Sequence, residues 1–216
     1  YLTELSGEAA SYMRPSFWPT THDILTPYMQ FGGVAAWKLR AALAATLVPT
    51  YGIYTGYELM EHVARPGAEE QIDNEKYEFK DRRWADYEPG GAKEGQSLAP
   101  YLTRLNAIRR EHPSLLWLRN ITFHPVDDDW VMAFSKHRRL ADGSEDLVLV
   151  VANLDPHSTR STVVRFDMAA LGFGWDEPMH VRDLMTGAEW AWGKETFVRL
   201  GPESEPVHIV SVWRAR

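Results

Sequence analysis

The stretch Ser16-Phe17-Trp18-Pro19-Thr20-Thr21-His22-Asp23-Ile24-Leu25 sets a His-Asp pair after a short aromatic run and before an apolar segment. An aspartate beside a histidine can serve general acid-base chemistry, stabilise a developing positive charge, or form a plain Asx turn. On spacing alone the turn is the better reading, and Asp23 could equally cap a short helical turn. Glu58 follows an aromatic run, where a buried carboxylate needs a partner, and a structural hydrogen bond is expected there. Asp127-Asp128-Asp129 lacks calcium-loop spacing and precedes a strand-like pattern, so it reads as a hairpin turn. Asp73-Asn74-Glu75-Lys76-Tyr77 mixes two acids, a cation and a phenol. Its plain reading is a solvated loop with local ion pairs. Its functional reading has Lys76 and Tyr77 donating hydrogen bonds to substrate hydroxyls or an anionic group.

The elements that must hold these groups follow from periodicity. Phe17-Trp18 is a short extended piece halted by Pro19, and residues 34–47 (VAAWKLRAALAATL) form a helix with only Lys38 and Arg40 charged. Such a helix, apolar nearly all round, is expected to be buried. Tyr51 to Leu59 (YGIYTGYEL) reads as a second short strand. Strand, helix, strand argues for parallel α/β architecture, with functional residues on loops at the carboxyl ends of strands, where Asp23 and Glu58 fall. A polar connection from about Met60 to Gly95 is long enough to be functional, disordered or partly helical. From Ser97, a capping residue, Leu98, Tyr101, Leu102, Leu105 and Ile108 repeat at helical spacing until Pro113.

After about Leu118 the period changes to two. Strands are expected at Asp129–His137, Asp146–Leu154, Ser161–Phe166, Met179–Leu184, Thr196–Leu200 and Val207–Trp213, separated by turn residues such as Ala141–Glu145. Several short strands with Gly, Pro and Asp between them make an antiparallel sandwich, so a domain boundary is expected near residue 118.

Composition narrows the partners. The 216 residues carry a formal charge of −7 with acids and bases interspersed, which gives no basic footprint for nucleic acid. No apolar run approaches the ~20 residues of a membrane helix, and the first residues lack the pattern of a secretory signal. Without cysteine there are no disulfides or thiolate zinc sites, which suits a cytoplasmic protein. The 8 histidines lack the spacings that put two ligands on one helix face, so no structural metal is expected. The 9 Trp, 9 Tyr and 8 Phe fill cores or stack on sugar rings, mostly the former. The chain starts without methionine, as a piece of a longer protein does.

Six stretches then appear in a familiar order: residues 1–25 (YLTELSGEAASYMRPSFWPTTHDIL), AALAATLVPTYGIYTGYEL, DNEKYEFKDRRW, LTRLNAIRREHPSL, LVVANLDPH and VRDLMTGAEWAWG. Together they span nearly the whole chain, which resembles the carboxyl-terminal third of the maltosyltransferases of the α-amylase superfamily (glycoside hydrolase family 13). Those enzymes use α-maltose 1-phosphate to extend α-1,4-glucans. The resemblance implies an α/β plus all-β fold: the last βα units of a (β/α)8 TIM barrel over residues 1–118, then a carboxyl-terminal antiparallel β-sandwich over 119–216. It implies retaining transfer through a covalent glycosyl-enzyme. Asp23 is then the third carboxylate, which stabilises the oxocarbenium-like state, His22 binds the same sugar, and Lys76 and Tyr77 bind the donor's maltosyl group.

The nucleophile and general acid are expected on earlier barrel strands, so these 216 residues alone should be inactive. No cofactor is implied; the implied partners are donor, glucan and, at full length, a second copy in a homodimer. This chain has Thr21-His22-Asp23 where the maltosyltransferases usually show Thr-Pro-Asp, and Asn74 where Ser is usual. The His-Asp pair is what hydrolases and transglycosylases of the wider superfamily carry, which keeps those activities as an alternative. A non-catalytic glucan-binding module is a further one.

Overall fold

A computed structural model describes residues 1–74 and 79–214. After a short helix α1 (Leu2–Ser6), strand β1 (Ser16–Phe17) is followed by helices α2 (Pro27–Phe31) and α3 (Gly33–Leu47), and then by β2 (Thr50–Tyr51). β1 and β2 pair in parallel, Ser16 with Thr50 and Phe17 with Tyr51. Parallel strands need a crossover, and α2 and α3 supply it. In α3 eleven residues are buried, among them Trp37, Leu39 and a run of alanines that lets neighbouring elements approach closely. Trp37 Nε1 donates to the Met29 carbonyl at 3.1 Å, fastening α2 to α3.

The end of α3 is closed by cations from elsewhere in the chain. The last carbonyls of a helix have no intrahelical donors, and α3 carries no basic residue in its last turn. Arg109, from helix α4 (Ala99–Glu111), donates to the carbonyls of Ala45, Val48 (3.2 Å) and Pro49 (2.7 Å). Lys136 Nζ donates to Leu47 at 3.2 Å and to Trp117. Both cations also face the negative end of the helix dipole. Lys136 is fully buried, and that burial, with Arg109 nearby, draws its pKa down to about 7.

The expected strand over Tyr51–Leu59 is corrected to the two residues of β2. Gly56 adopts a left-handed φ of 96°, and residues 57–59 coil into a 3-10 helix that turns Tyr57 into the core. There its ring lies 4.5 Å from that of Trp37 and its hydroxyl donates to the Trp37 carbonyl. In α4 the expected stripe of Tyr101, Leu102, Leu105 and Ile108 is buried. Ser97 Oγ accepts from the Ala99 amide at 3.1 Å, from two residues before the first helical residue. The stretch 60–95 holds one bridge, Ala64 to Gln71, and a 3-10 turn at Trp84–Tyr87 among its described residues.

Strands β3 (Ile121–His124), β4 (Val131–Arg139), β5 (Glu145–Asn153), β7 (Met179–Asp183), β8 (Glu189–Trp192) and β10 (Val207–Trp213) form one antiparallel sheet in the order β3-β4-β5-β10-β7-β8. β6 (Arg160–Arg165) and β9 (Glu195–Leu200) make a separate two-stranded ribbon. The sheet is covered on both faces. Phe134, Val148, Val150, Val207 and Ile209 pack with the helices, while Ala133, Leu149, Val151 and Val210 pack with Val164, Phe166 and Val198 of the ribbon side. That is why β5 is a continuous apolar run, whereas β9, with one face to solvent, alternates. Asp127–Asp129 lies in the β3–β4 hairpin, and Gly143, at φ 85°, turns the β4–β5 hairpin. No helix among the described residues is long and apolar enough to cross a membrane.

Candidate functional site

The His22-Asp23 pair sits at the tip of a turn whose ends are pinned. Thr21 N donates to the Ile24 carbonyl at 3.1 Å, and Ile24 N donates to Thr21 Oγ1 at 3.1 Å, which closes the four residues. Thr20 and Leu25 on either side are buried. Three contacts tie the turn to neighbouring segments: Leu25 N to Glu69 O (2.6 Å), Gln71 N to His22 O (3.2 Å) and the Gln30 side-chain Nε2 to Leu25 O (2.7 Å). A backbone held this way presents the tip side chains in a fixed place at little entropic cost.

At the tip, His22 Nε2 and Asp23 Oδ2 are 3.1 Å apart, and the Asp23 side chain is 66% exposed. The His22 ring lies 5.8 Å from that of Tyr54. The imidazole edge lies beside the carboxylate, and its Nδ1 can exchange a hydrogen bond with a hydroxyl. Asp23 keeps acceptor capacity on both oxygens, because its side chain is open to solvent. This pair can accept sugar hydroxyls and place negative charge beside a developing cation.

The surrounding loops are built to leave the tip open. Trp18 is half exposed, and its indole occupies the space a side chain at Gly52 would need, since a Cβ there would come within 2.3 Å of the ring. Only glycine fits at 52 with this packing. Glu58 Oε2 accepts from the Gly56 amide at 3.1 Å, a structural bond of the expected kind. Beyond it Glu61 binds Arg82 (3.1 Å) and Lys80 (3.3 Å), and Lys80 reaches Asp73 (2.6 Å). Burial works against the Lys80 charge, yet Asp73 and Glu61 hold its pKa above the ordinary value. Asn74 Nδ2 donates to Glu70 Oε2 at 2.7 Å. Of the candidates, then, the structure brings His22 and Asp23 together, while Lys76 and Tyr77 lie outside the described residues. Residue patterns missed Gln71 and Tyr54 as neighbours of the pair. They missed the ion network too, because its members are separated by up to 21 positions.

Residues 123–212 match the family model described as "GLGE, C-terminal". The chain is 51% identical over 215 residues to α-1,4-glucan:maltose-1-phosphate maltosyltransferase 1 of Streptomyces coelicolor, covering 99% of this chain and 30% of that protein. It is 42% identical over 215 residues to the maltosyltransferase of the same description from Mycobacterium tuberculosis, covering 98% of this chain and 30% of that one. The chain thus spans about 30% of the length of these relatives. Among solved structures it is similar to an Anoxybacillus α-amylase, with a TM-score of 0.61 at 16% identity over 96% of this chain and 40% of that one. An α-amylase from Geobacillus thermoleovorans, complexed with acarbose, gives a TM-score of 0.58 at 13% identity over 94% and 40%. At such identities the likeness is one of fold. By sequence, the chain is a homologue of the carboxyl-terminal portion of the α-1,4-glucan:maltose-1-phosphate maltosyltransferases.

Proposed function

We propose that this chain supplies the last βα units of a catalytic TIM barrel, residues 1–118, and a β-sandwich domain, residues 119–216, to a retaining maltosyltransferase. The enzyme moves maltosyl units from α-maltose 1-phosphate to the non-reducing end of an α-1,4-glucan. In the first displacement the carboxylate nucleophile bonds to the anomeric carbon as the bond from that carbon to the phosphate oxygen breaks and phosphate departs; in the second the glucan hydroxyl displaces that carboxylate and gives its proton to the general base. Asp23 stabilises the oxocarbenium-like transition state of each displacement, and His22 binds the hydroxyls of the same ring. Lys76 and Tyr77 hold the donor's maltosyl group. The nucleophile and general acid come from other residues of a longer, homodimeric, cytoplasmic protein.

The observation that carries this reading is the pinned turn that leaves Asp23 66% exposed beside His22. It occurs in a chain that is 51% identical, over 215 residues, to a protein named for this reaction. Two further features support the barrel: the parallel β1–β2 pair and the helical crossover between its strands. His22 itself favours a second reading, hydrolysis or transglycosylation of α-glucans, because a His-Asp pair suits those enzymes as well.

The full-length protein is assayed for inorganic phosphate released from α-maltose 1-phosphate in the presence of glycogen. Stoichiometric phosphate release with glucan elongation is expected. Reducing sugar produced from glucan without phosphate release would establish the second reading instead.

A further inference from the structure

On the face of the sheet turned away from the helices, the β3–β4 hairpin and the β6–β9 ribbon enclose an open groove of about 550 Å³. Its walls carry two aromatic rings, Trp130 at 50% exposure and Phe197 at 67%. A lone exposed aromatic is ordinary, but two in one groove cost apolar hydration that a folded chain gains nothing from in isolation. Phe197 stands opposite Val163 in the ribbon, between the inward-facing Thr196 and Val198, so its alternation in β9 directs it outward.

The Trp130 platform is held in place. Its amide donates to Asp128 Oδ1 at 2.8 Å, and its carbonyl accepts from Leu154 N at 2.7 Å. Arg160 lies 5.5 Å from the ring centroid and is itself fixed by Asp155 at 2.6 Å and Asp128 at 3.8 Å. A ring with two rotatable bonds, already ordered, loses little entropy on binding. The polar groups beside it are carboxylates with partners: Asp128 has Arg160, and Asp127 is gripped by the two terminal Arg165 nitrogens, one at 2.9 Å.

We infer that this groove is a second glucan-binding site, in which Trp130 and Phe197 stack against the apolar faces of consecutive glucose rings and the Asp127–Asp129 carboxylates accept their hydroxyls. Three aspartates on the rim repel phosphate and other anions. Two of the three are already neutralised by guanidinium groups, which leaves a neutral polyhydroxylated chain a better fit than a basic peptide. Such a site lies across the sheet from the His22-Asp23 turn and would keep a long glucan attached between transfers. The inference rests on the glucan substrate proposed above.

The test uses the full-length protein with Trp130→Ala, Phe197→Ala and the double substitution. Retardation in native gels cast with glycogen reports binding, and phosphate release from α-maltose 1-phosphate with a short maltooligosaccharide acceptor reports turnover. The double variant should bind glycogen about tenfold more weakly, equivalent to about 1.4 kcal/mol, with turnover on the short acceptor unchanged. Phe197→Ala alone, at a solvent-exposed position, should show a smaller loss in the same direction, and Trp130→Phe should restore most of the retardation. Unchanged retardation of the double variant would overturn the site. So would Trp130-dependent binding of a hexalysine peptide without any of glycogen. Trp130-dependent retardation in a protein that releases no phosphate would leave the site standing and refute the maltosyl-transfer reading alone.

Discussion

Three His-Asp pairs share one chemistry in this molecule and differ in what surrounds them. Asp183 is wholly buried, and its carboxylate takes His208 Nδ1 at 2.7 Å, Met185 N at 2.8 Å and Thr186 N at 2.9 Å. Asp146 takes His112 Nδ1 at 2.7 Å and Ser114 N at 2.8 Å, which helps hold its pKa low against its burial. Asp23 has His22 at 3.1 Å and is otherwise open to solvent. The first two carboxylates are saturated by protein donors and serve the fold. The third keeps its hydrogen-bonding capacity while its backbone is fixed, which is the condition for acting on a ligand.

That contrast is broken most forcefully at Asp183. In Asp183→Asn the charge is lost, and one of the three donors facing the site meets an amide N–H instead of an oxygen. A buried donor left unpaired costs ~1–3 kcal/mol and more where the lost acceptor is charged, and a fall of about 3 kcal/mol or more in the urea unfolding free energy is expected. A loss under about 1 kcal/mol would make Asp183 no more structural than an exposed pair.

His124 sharpens the same comparison through pH. Its Nε2 bonds Ser135 Oγ at 2.9 Å and its Nδ1 accepts from Asp167 N at 3.3 Å, so protonation must set one N–H against another. Burial, opposed by Asp167, lowers its pKa to about 4 from an ordinary 6.5. The unfolded chain therefore binds the proton first as pH falls. The stability contributed is full above about pH 6.5 and is lost as pH drops through about 4, on the order of 3 kcal/mol in total. Denaturant titrations at pH 7, 5 and 4 should show this slope, and His124→Gln should flatten it. A slope identical in parent and variant would remove His124 from the account.

Next in size is Arg109→Met, which keeps the apolar stem and uncovers the carbonyls of Ala45, Val48 and Pro49. A buried acceptor left unpaired costs ~1–3 kcal/mol, and water reaching the end of α3 should limit the loss to about 2 kcal/mol. Thermal unfolding checks it, and no change in midpoint would show the helix end capped by other means.

Residue patterns identified the long helix, the α4 stripe and most of the strands, because one-sided or two-sided burial leaves a period in the sequence. Two short strands, β3 and β8, were not singled out. In β8, Glu189, Trp190 and Ala191 are exposed and only Trp192 is buried, so the edge carries little alternation. The expected strand at Tyr51–Leu59 failed for a local reason, since Gly56 takes a conformation that ends extension. His22 and Asp23 were visible as types in sequence, but what distinguishes them from the other pairs was not. The saturating partners of Asp183 and Asp146 include histidines 25 and 34 residues away. No residue pattern singles out Arg109 or Lys136, whose role follows only once the end of α3 is placed against them.

The most direct measurement compares Asp23→Asn with Asp183→Asn in the full-length protein, recording unfolding free energy and turnover of α-maltose 1-phosphate together. Surface changes away from structural contacts usually stay within ±0.5 kcal/mol. Loss of one transition-state contact costs about 10²-fold or more in rate. Asp23→Asn should therefore unfold like the parent while turnover drops about 10²-fold or more. An Asp23→Asn protein with parental turnover, or one whose lost turnover is matched by lost stability as in Asp183→Asn, would contradict the assignment of the exposed pair to chemistry.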